Sequence, residues 1–163
     1  MPKPHKKVLL IDSEPTLTLA LSDALVDADL SNSPLLARTA EEALAILRNN
    51  STIELIVLDL GLPGTDGHAL AKTILVDFPR AGLILTGTLI CSELRAEFEG
   101  QALGCLEKPF DLEEFMQLSY KGLSAVSWNS ADVGGTHLDP LAPLSLSKGG
   151  EGCEARQRTW ETQ

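Results

Sequence analysis

Apolar residues in this chain follow two rhythms that alternate up to about residue 123. Short unbroken runs have the length and continuity of strands covered on both faces: Val8-Leu9-Leu10-Ile11, Leu35-Leu36-Ala37, Leu55-Ile56-Val57-Leu58, Leu83-Ile84-Leu85 and Cys105-Leu106. Between them the apolar positions fall at helical spacing. Residues 14–29 carry Leu17, Leu21, Ala24 and Leu25, with Pro15 tolerated in the first turn, and Ser31-Asn32-Ser33-Pro34 breaks the pattern. Thr39 and Glu42 form a capping-box pattern ahead of Ala43, Leu44 and Leu47, predicting a helix that runs to Asn49-Asn50. A third helix, from about Gly67 to Asp77, shows Leu70, Ile74 and Phe78 before Pro79 stops it. A fourth centres on Leu94 and Phe98. The fifth starts at Asp111, which faces Glu114 at cap spacing, and is expected to bury Leu112, Phe115 and Leu118. Five strands alternating with five helices predict an α/β fold, a doubly wound parallel sheet with right-handed crossovers and helices on both faces.

From about residue 124 the rhythm stops. Residues 124–163 contain Gly134-Gly135, Pro140, Pro143, Gly149-Gly150 and Gly152, and are too poor in apolar repeats to build a second core. A disordered Gly/Pro/Ser-rich tail without an effector domain is expected there; the alternative is an arm that docks Trp128 or Trp160 on the domain or on a partner. The first 123 residues suit one domain of ordinary size, and an apolar fraction of 44% can supply its core.

Charge narrows the function classes. A net charge of −10 leaves no basic stripe to neutralise phosphates, which argues against a nucleic-acid binder. Lys3, Lys6 and Lys7 are too few to change that. The four apolar residues that follow them are too few for a signal peptide or a membrane span. Cys91, Cys105 and Cys153 lie in no CxxC pair, which suits reduced thiols. The expectation is a soluble cytoplasmic protein.

The candidate chemistry lies where the strands end. Asp59 closes the third run and opens into Gly61-Leu62-Pro63-Gly64-Thr65-Asp66-Gly67. The first run leads into Asp12-Ser13-Glu14, the fourth into Thr86-Gly87, and the fifth through Glu107 into Lys108-Pro109. In an open parallel sheet, the carboxyl ends of the strands share one edge, where such folds place their sites. A carboxylate, an acidic cluster, a hydroxyl and a lysine would therefore converge. Each has a plainer explanation alone: a strand-end Asp can cap its own loop, and a lone Lys is usually solvated. His5, His68 and His137 share no metal-ligand spacing and receive no role.

Residues 6–123 resemble the receiver domain of two-component response regulators, the CheY-like superfamily. The resemblance rests on Leu9-Leu10-Ile11-Asp12-Ser13-Glu14-Pro15, Val57-Leu58-Asp59 with Leu62-Pro63-Gly64-Thr65-Asp66-Gly67, Leu85-Thr86-Gly87 and Lys108-Pro109-Phe110. It implies a flavodoxin-like sheet of order 2-1-3-4-5. It also implies that Asp59 is a phosphoacceptor, served by a sensor histidine kinase, a phosphotransfer protein or a small phosphodonor in a phosphorelay. Lys108 and Thr86 would hold phosphoryl oxygens. Mg²⁺ would be held by Asp12, Asp59 and the Gly61 backbone carbonyl, with Ser13 and Glu14 as auxiliary oxygens. The Lys108–Pro109 peptide would be cis. A downstream protein would dock on the face of helix 4, strand 5 and helix 5. The chain would be a phosphoprotein and not a turnover enzyme.

Three departures qualify the resemblance. Ser13 stands where the family has a second metal-binding carboxylate, which predicts a weak Mg²⁺ site; at the extreme it predicts a pseudo-receiver, an interaction module that needs no phosphorylation. Cys105 replaces an aromatic residue that swings with the switch; it is expected to be a buried structural cysteine, with output less dependent on that side chain. Gly61 and Thr88 supply neither acid nor amide to orient an attacking water, so slow self-dephosphorylation is expected. An aspartate-nucleophile phosphatase would usually carry a second Asp at position 61, where this chain has Gly61.

Overall fold

The computed structural model describes residues 5–125. The elements run β1 (Lys7–Ile11), α1 (Pro15–Asp27), β2 (Leu35–Ala37), α2 (Ala40–Asn49), β3 (Ile53–Asp59), α3 (Gly67–Asp77), β4 (Gly82–Gly87), α4 (Ser92–Glu97), β5 (Gly104–Glu107) and α5 (Leu112–Ala125). All strands pair in parallel in the order β2-β1-β3-β4-β5, as expected from the alternation and the resemblance. The expectations for residues 126–163, Trp128, Trp160 and Cys153 among them, lie outside the described residues.

Period-two alternation divides the apolar runs between two cores. Leu9, Ile11, Ile56, Leu58, Leu83 and Leu85 pack with Ala43, Leu47, Leu70, Ile74 and Phe98 on the α2–α3–α4 side. Val8, Leu10, Leu55, Val57, Ile84 and Leu106 pack with Leu21, Leu25, Phe115 and Leu123 on the α1–α5 side. Continuous hydrophobic strands are therefore required, because both faces of the sheet are covered. Burying each of the Val, Leu, Ile and Phe side chains among them fully stabilises the fold by about 1.5–3 kcal/mol before entropic costs.

The helix starts follow local chemistry. The Thr39 hydroxyl accepts the Glu42 N–H at 3.2 Å, and the Glu42 carboxylate reaches back to accept the Arg38 N–H at 2.8 Å. Asp66 caps α3 by accepting the His68 and Ala69 N–H groups. Pro15 occupies the first turn of α1, where its missing N–H costs nothing.

Two expectations of burial need correction. Leu112 is 50% exposed, since it lies a turn ahead of the stripe Phe115, Ser119 and Leu123 that α5 turns inward. The helix expected around Leu94 and Phe98 is only six residues long, none of them buried; Phe98 lies beyond its end and anchors it to the core at 2% exposure. Among the described residues no helix is long and apolar enough to cross a membrane.

Candidate functional site

The same alternation that builds the α1–α5 core aims the polar residues. Asp12 follows Leu10 by two residues, Asp59 follows Val57, Thr86 follows Ile84 and Lys108 follows Leu106, and those four apolar residues all belong to that core. Along a strand, positions two apart share a face. Two strand ends and the residues just beyond β1 and β5 thus present their polar groups to one side of one edge. Asp12, Asp59 and Thr86 are buried there, at 6%, 6% and 2% exposure.

Lys108 ties the two carboxylates together. Its ammonium donates to Asp12 Oδ2 at 2.7 Å and to Asp59 Oδ2 at 3.1 Å, across 96 and 49 residues of sequence. The other oxygen of each carboxylate is held by the backbone two residues on. Asp12 Oδ1 accepts the Glu14 N–H at 2.8 Å, and Asp59 Oδ1 accepts the Gly61 N–H at 2.9 Å. Burial alone would push the Lys108 ammonium down, but its hydrogen bonds to Asp12 and Asp59 outweigh that and hold it above the usual lysine range. The ammonium is a permanent cation at working pH.

Thr86 is the β4 register partner of Asp59, and its carbonyl accepts the Leu60 N–H at 2.8 Å. The Lys108–Pro109 peptide is cis, as the resemblance implied. Asp12, Asp59, Thr86 and Lys108 therefore meet as expected. Ser13 and Glu14 are exposed, and the hydrogen bond from Glu14 to the cluster comes from its backbone N–H. Among the described residues no group of three or more His, Cys, Asp or Glu could hold a metal. Two buried carboxylates do fit the modest demand of Mg²⁺, which often takes one or two carboxylates and keeps waters and phosphate oxygens for the rest.

Cys105 is a free thiol, half-buried, and burial pushes it above the usual thiol range. Its carbonyl accepts Arg95 Nη1 at 2.9 Å, which joins α4 to β5. Cys91 is engaged with a partner, contrary to the expectation of free thiols.

One cluster carried no signal in the sequence. Glu97 at the end of α4 bonds Lys72 at 2.7 Å and His68 at 2.6 Å, and the His68 ring stands edge-on to Phe98 with centroids 5.3 Å apart. Lys72 first, then His68, lower the Glu97 carboxyl below its ordinary range by hydrogen bonding. Only the fold brings α3 and α4 together, so neither spacing nor residue type announced this clamp.

Comparison with known proteins gives concordant results. Residues 8–119 match the response regulator receiver domain model. In sequence the chain is 29% identical over 138 residues to the response regulator protein FleR of Pseudomonas aeruginosa, covering 83% of this chain and 28% of that protein. The chain thus spans less than a third of that curated relative's length. In structure it superposes with a TM-score of 0.70 on a CheY-like response regulator receiver domain protein from Methanospirillum hungatei JF-1, at 19% identity, covering 78% of this chain and 100% of the other. The beryllofluoride-activated NtrC4 receiver domain dimer gives a TM-score of 0.66 at 26% identity, over 74% of this chain and 98% of that one.

Proposed function

The chain belongs to the response regulator receiver domain family, whose members signal through phosphorylation, and on that premise we propose that Asp59 is its phosphoacceptor. The observation that carries this reading is the single Lys108 ammonium bonded to both Asp12 and Asp59. Asp59 attacks the phosphorus of a phosphohistidine or an acyl phosphate. A new O–P bond forms while the donor's P–N or P–O bond breaks, and the donor leaves with the electron pair. Phosphoryl transfer demands alignment and charge neutralisation above all. The Gly61 N–H fixes Asp59 through Oδ1 and Lys108 holds Oδ2, so the carboxylate is oriented before the donor arrives. Lys108 then sits beside the incoming phosphoryl oxygens, and the Thr86 hydroxyl donates to another.

A bound Mg²⁺ would add neutralisation of the remaining phosphoryl charge. Asp12, Asp59 and the Gly61 carbonyl would hold it, with Ser13 and Glu14 as auxiliary oxygens. Two carboxylates against one ammonium leave one net negative charge in the pocket. That supports a weak metal site.

The donor is a sensor histidine kinase or a phosphotransfer protein in a phosphorelay, and the output is a protein contact on the α4–β5–α5 face. The Arg95–Cys105 bond and exposed Tyr120 lie on those elements. The chain binds neither nucleic acid nor membrane, works in the cytoplasm, and turns over no substrate. Gly61 and Thr88 offer no group to orient water, so the phosphoryl group is long-lived.

Incubating the chain with acetyl phosphate and Mg²⁺, then locating the acyl phosphate by mass spectrometry, tests the proposal. Label on Asp59, lost in Asp59→Asn, is expected; an unlabelled chain sinks it. The rival pseudo-receiver is favoured by Ser13 in place of a carboxylate. Beryllofluoride with Mg²⁺ separates the two, shifting amide resonances at Thr86 and Cys105 only in a working receiver.

A further inference from the structure

We propose that Gly67, the first residue of α3, is a positioning residue for the acceptor, acting through the backbone of Leu60. The inference rests on the receiver reading of Asp59. A Cβ at position 67 would overlap the Leu60 carbonyl oxygen, and would stand 2.6 Å from the Leu60 Cα and 2.7 Å from its carbonyl carbon. Carbon atoms in contact settle at about 3.5–4.0 Å, so a side chain here must displace backbone.

Leu60 is the residue through which that displacement would spread. It joins Asp59 to Gly61, whose N–H orients the Asp59 carboxylate. Its own N–H donates to the Thr86 carbonyl at 2.8 Å, which fastens the end of β3 to β4. One peptide segment thus touches the acceptor, the amide that aims it and the strand that carries the hydroxyl. Asp66 caps α3 through two N–H groups and holds the helix start against Leu60.

Backbone conformation does not explain the glycine. Gly64 and Gly100 take positive φ, whereas Gly67 does not. Helix propensity would favour alanine at position 67. Only the approach to Leu60 requires glycine, so propensity and contact predict opposite signs for Gly67→Ala.

The experiment compares the full chain with its Gly67→Ala and Gly64→Ala variants. Position 64 lies in the same loop with open space around it, but its φ of +70° makes alanine strained there. Gly64→Ala therefore reports loop strain without contact. Acetyl phosphate labelling of Asp59 by Gly67→Ala is expected to fall by about 100-fold, as for a misplacement near 1 Å. The acetyl phosphate concentration for half-maximal rate should stay unchanged, and the Gly61 amide proton should move upfield as its bond to Asp59 lengthens. Gly64→Ala should label at the wild-type rate with its Gly61 amide unmoved. Wild-type labelling by folded Gly67→Ala overturns the inference. If the wild-type chain itself takes no label, the receiver reading fails, and an unmoved Gly61 amide in Gly67→Ala still overturns the positioning role. If Gly67→Ala does not fold, Asp59→Asn gives the result: the Leu60 and Gly67 amide resonances should move together with that of Gly61, and a response confined to Gly61 overturns the coupling.

Discussion

Asp59 and Thr86 stand opposite each other as register partners of β3 and β4, with their side chains on the same side of the sheet. A hydroxyl beside the acceptor can receive a phosphoryl oxygen without any movement of the sheet. A hydrogen bond to a charged group contributes about 1.5–3 kcal/mol. Thr86→Val keeps the shape and loses the donor, so its acetyl phosphate labelling rate should fall at least about tenfold. Thr86→Ser should label at close to the wild-type rate. Equal rates for the valine and wild-type chains would remove Thr86 from the site.

Among the described residues, Lys108 is the only charge bridging Asp12 and Asp59, and its side chain is 14% exposed. Lys108→Met leaves two buried carboxylates facing each other, and should lower stability by about 3 kcal/mol in urea unfolding near neutral pH. Adding Asp59→Asn should recover part of that loss, because it removes one of the two repelling charges. The pH dependence has a definite sign. The Lys108 pKa is raised in the folded chain. Its contribution is therefore complete below the ordinary lysine value and is lost as pH climbs through the higher folded one. The urea midpoints of wild-type and Lys108→Met chains should converge only above about pH 10.4. Convergence already at pH 8 would show that the pair contributes nothing.

The parallel sheet and the four meeting residues were visible in the sequence because each rests on a local pattern, whereas the strand order followed only from the family resemblance. Leu10, Val57, Ile84 and Leu106 set the face, and two residues later the polar groups inherit it. That parity is a signal any reading of strand ends can use. Leu112 was misjudged because helical spacing gives a stripe but not where along it the core stops; Leu112 shares the face of Ser119 but is the first residue of α5, a turn before the fully buried Phe115. Gly67 looked like one more turn glycine, since a glycine needed for close packing has no sequence mark of its own. Glu97 and His68 meet across 29 residues, and only the packing of α4 on α3 brings them together.

The Glu97 clamp should appear as an acid-sensitive contribution. Hydrogen bonds from Lys72 and then His68 lower the folded-state pKa of Glu97. The stability it adds is therefore present above the ordinary glutamate value and disappears as pH falls through the lower folded one. Wild-type and Glu97→Gln chains should differ in urea midpoint at pH 6–7 and draw together as pH falls below the ordinary glutamate value. The cluster is exposed, so about 1 M salt should also narrow the gap at neutral pH. A gap that persists in acid would show that some effect other than charge separates the two chains.

Ser13 offers the sharpest control over metal affinity. A unit charge pair about 4 Å apart contributes roughly 1–4 kcal/mol between the dielectric of water and that of a protein surface. Ser13→Asp supplies the missing carboxylate at the edge where Asp12 and Asp59 already lie, and Ser13 is exposed, so the change costs little folding energy. Calorimetry should find millimolar or weaker Mg²⁺ binding to the wild-type chain and at least about tenfold tighter binding to the variant, since each 1.4 kcal/mol is a factor of ten. The same substitution should accelerate Asp59 labelling at low Mg²⁺ and matter less as Mg²⁺ approaches saturation, because it changes occupancy and leaves Lys108 and Thr86 in place. Micromolar Mg²⁺ affinity in the wild-type chain would mean that other oxygens already complete the site, and the account of a weakened metal centre would fall.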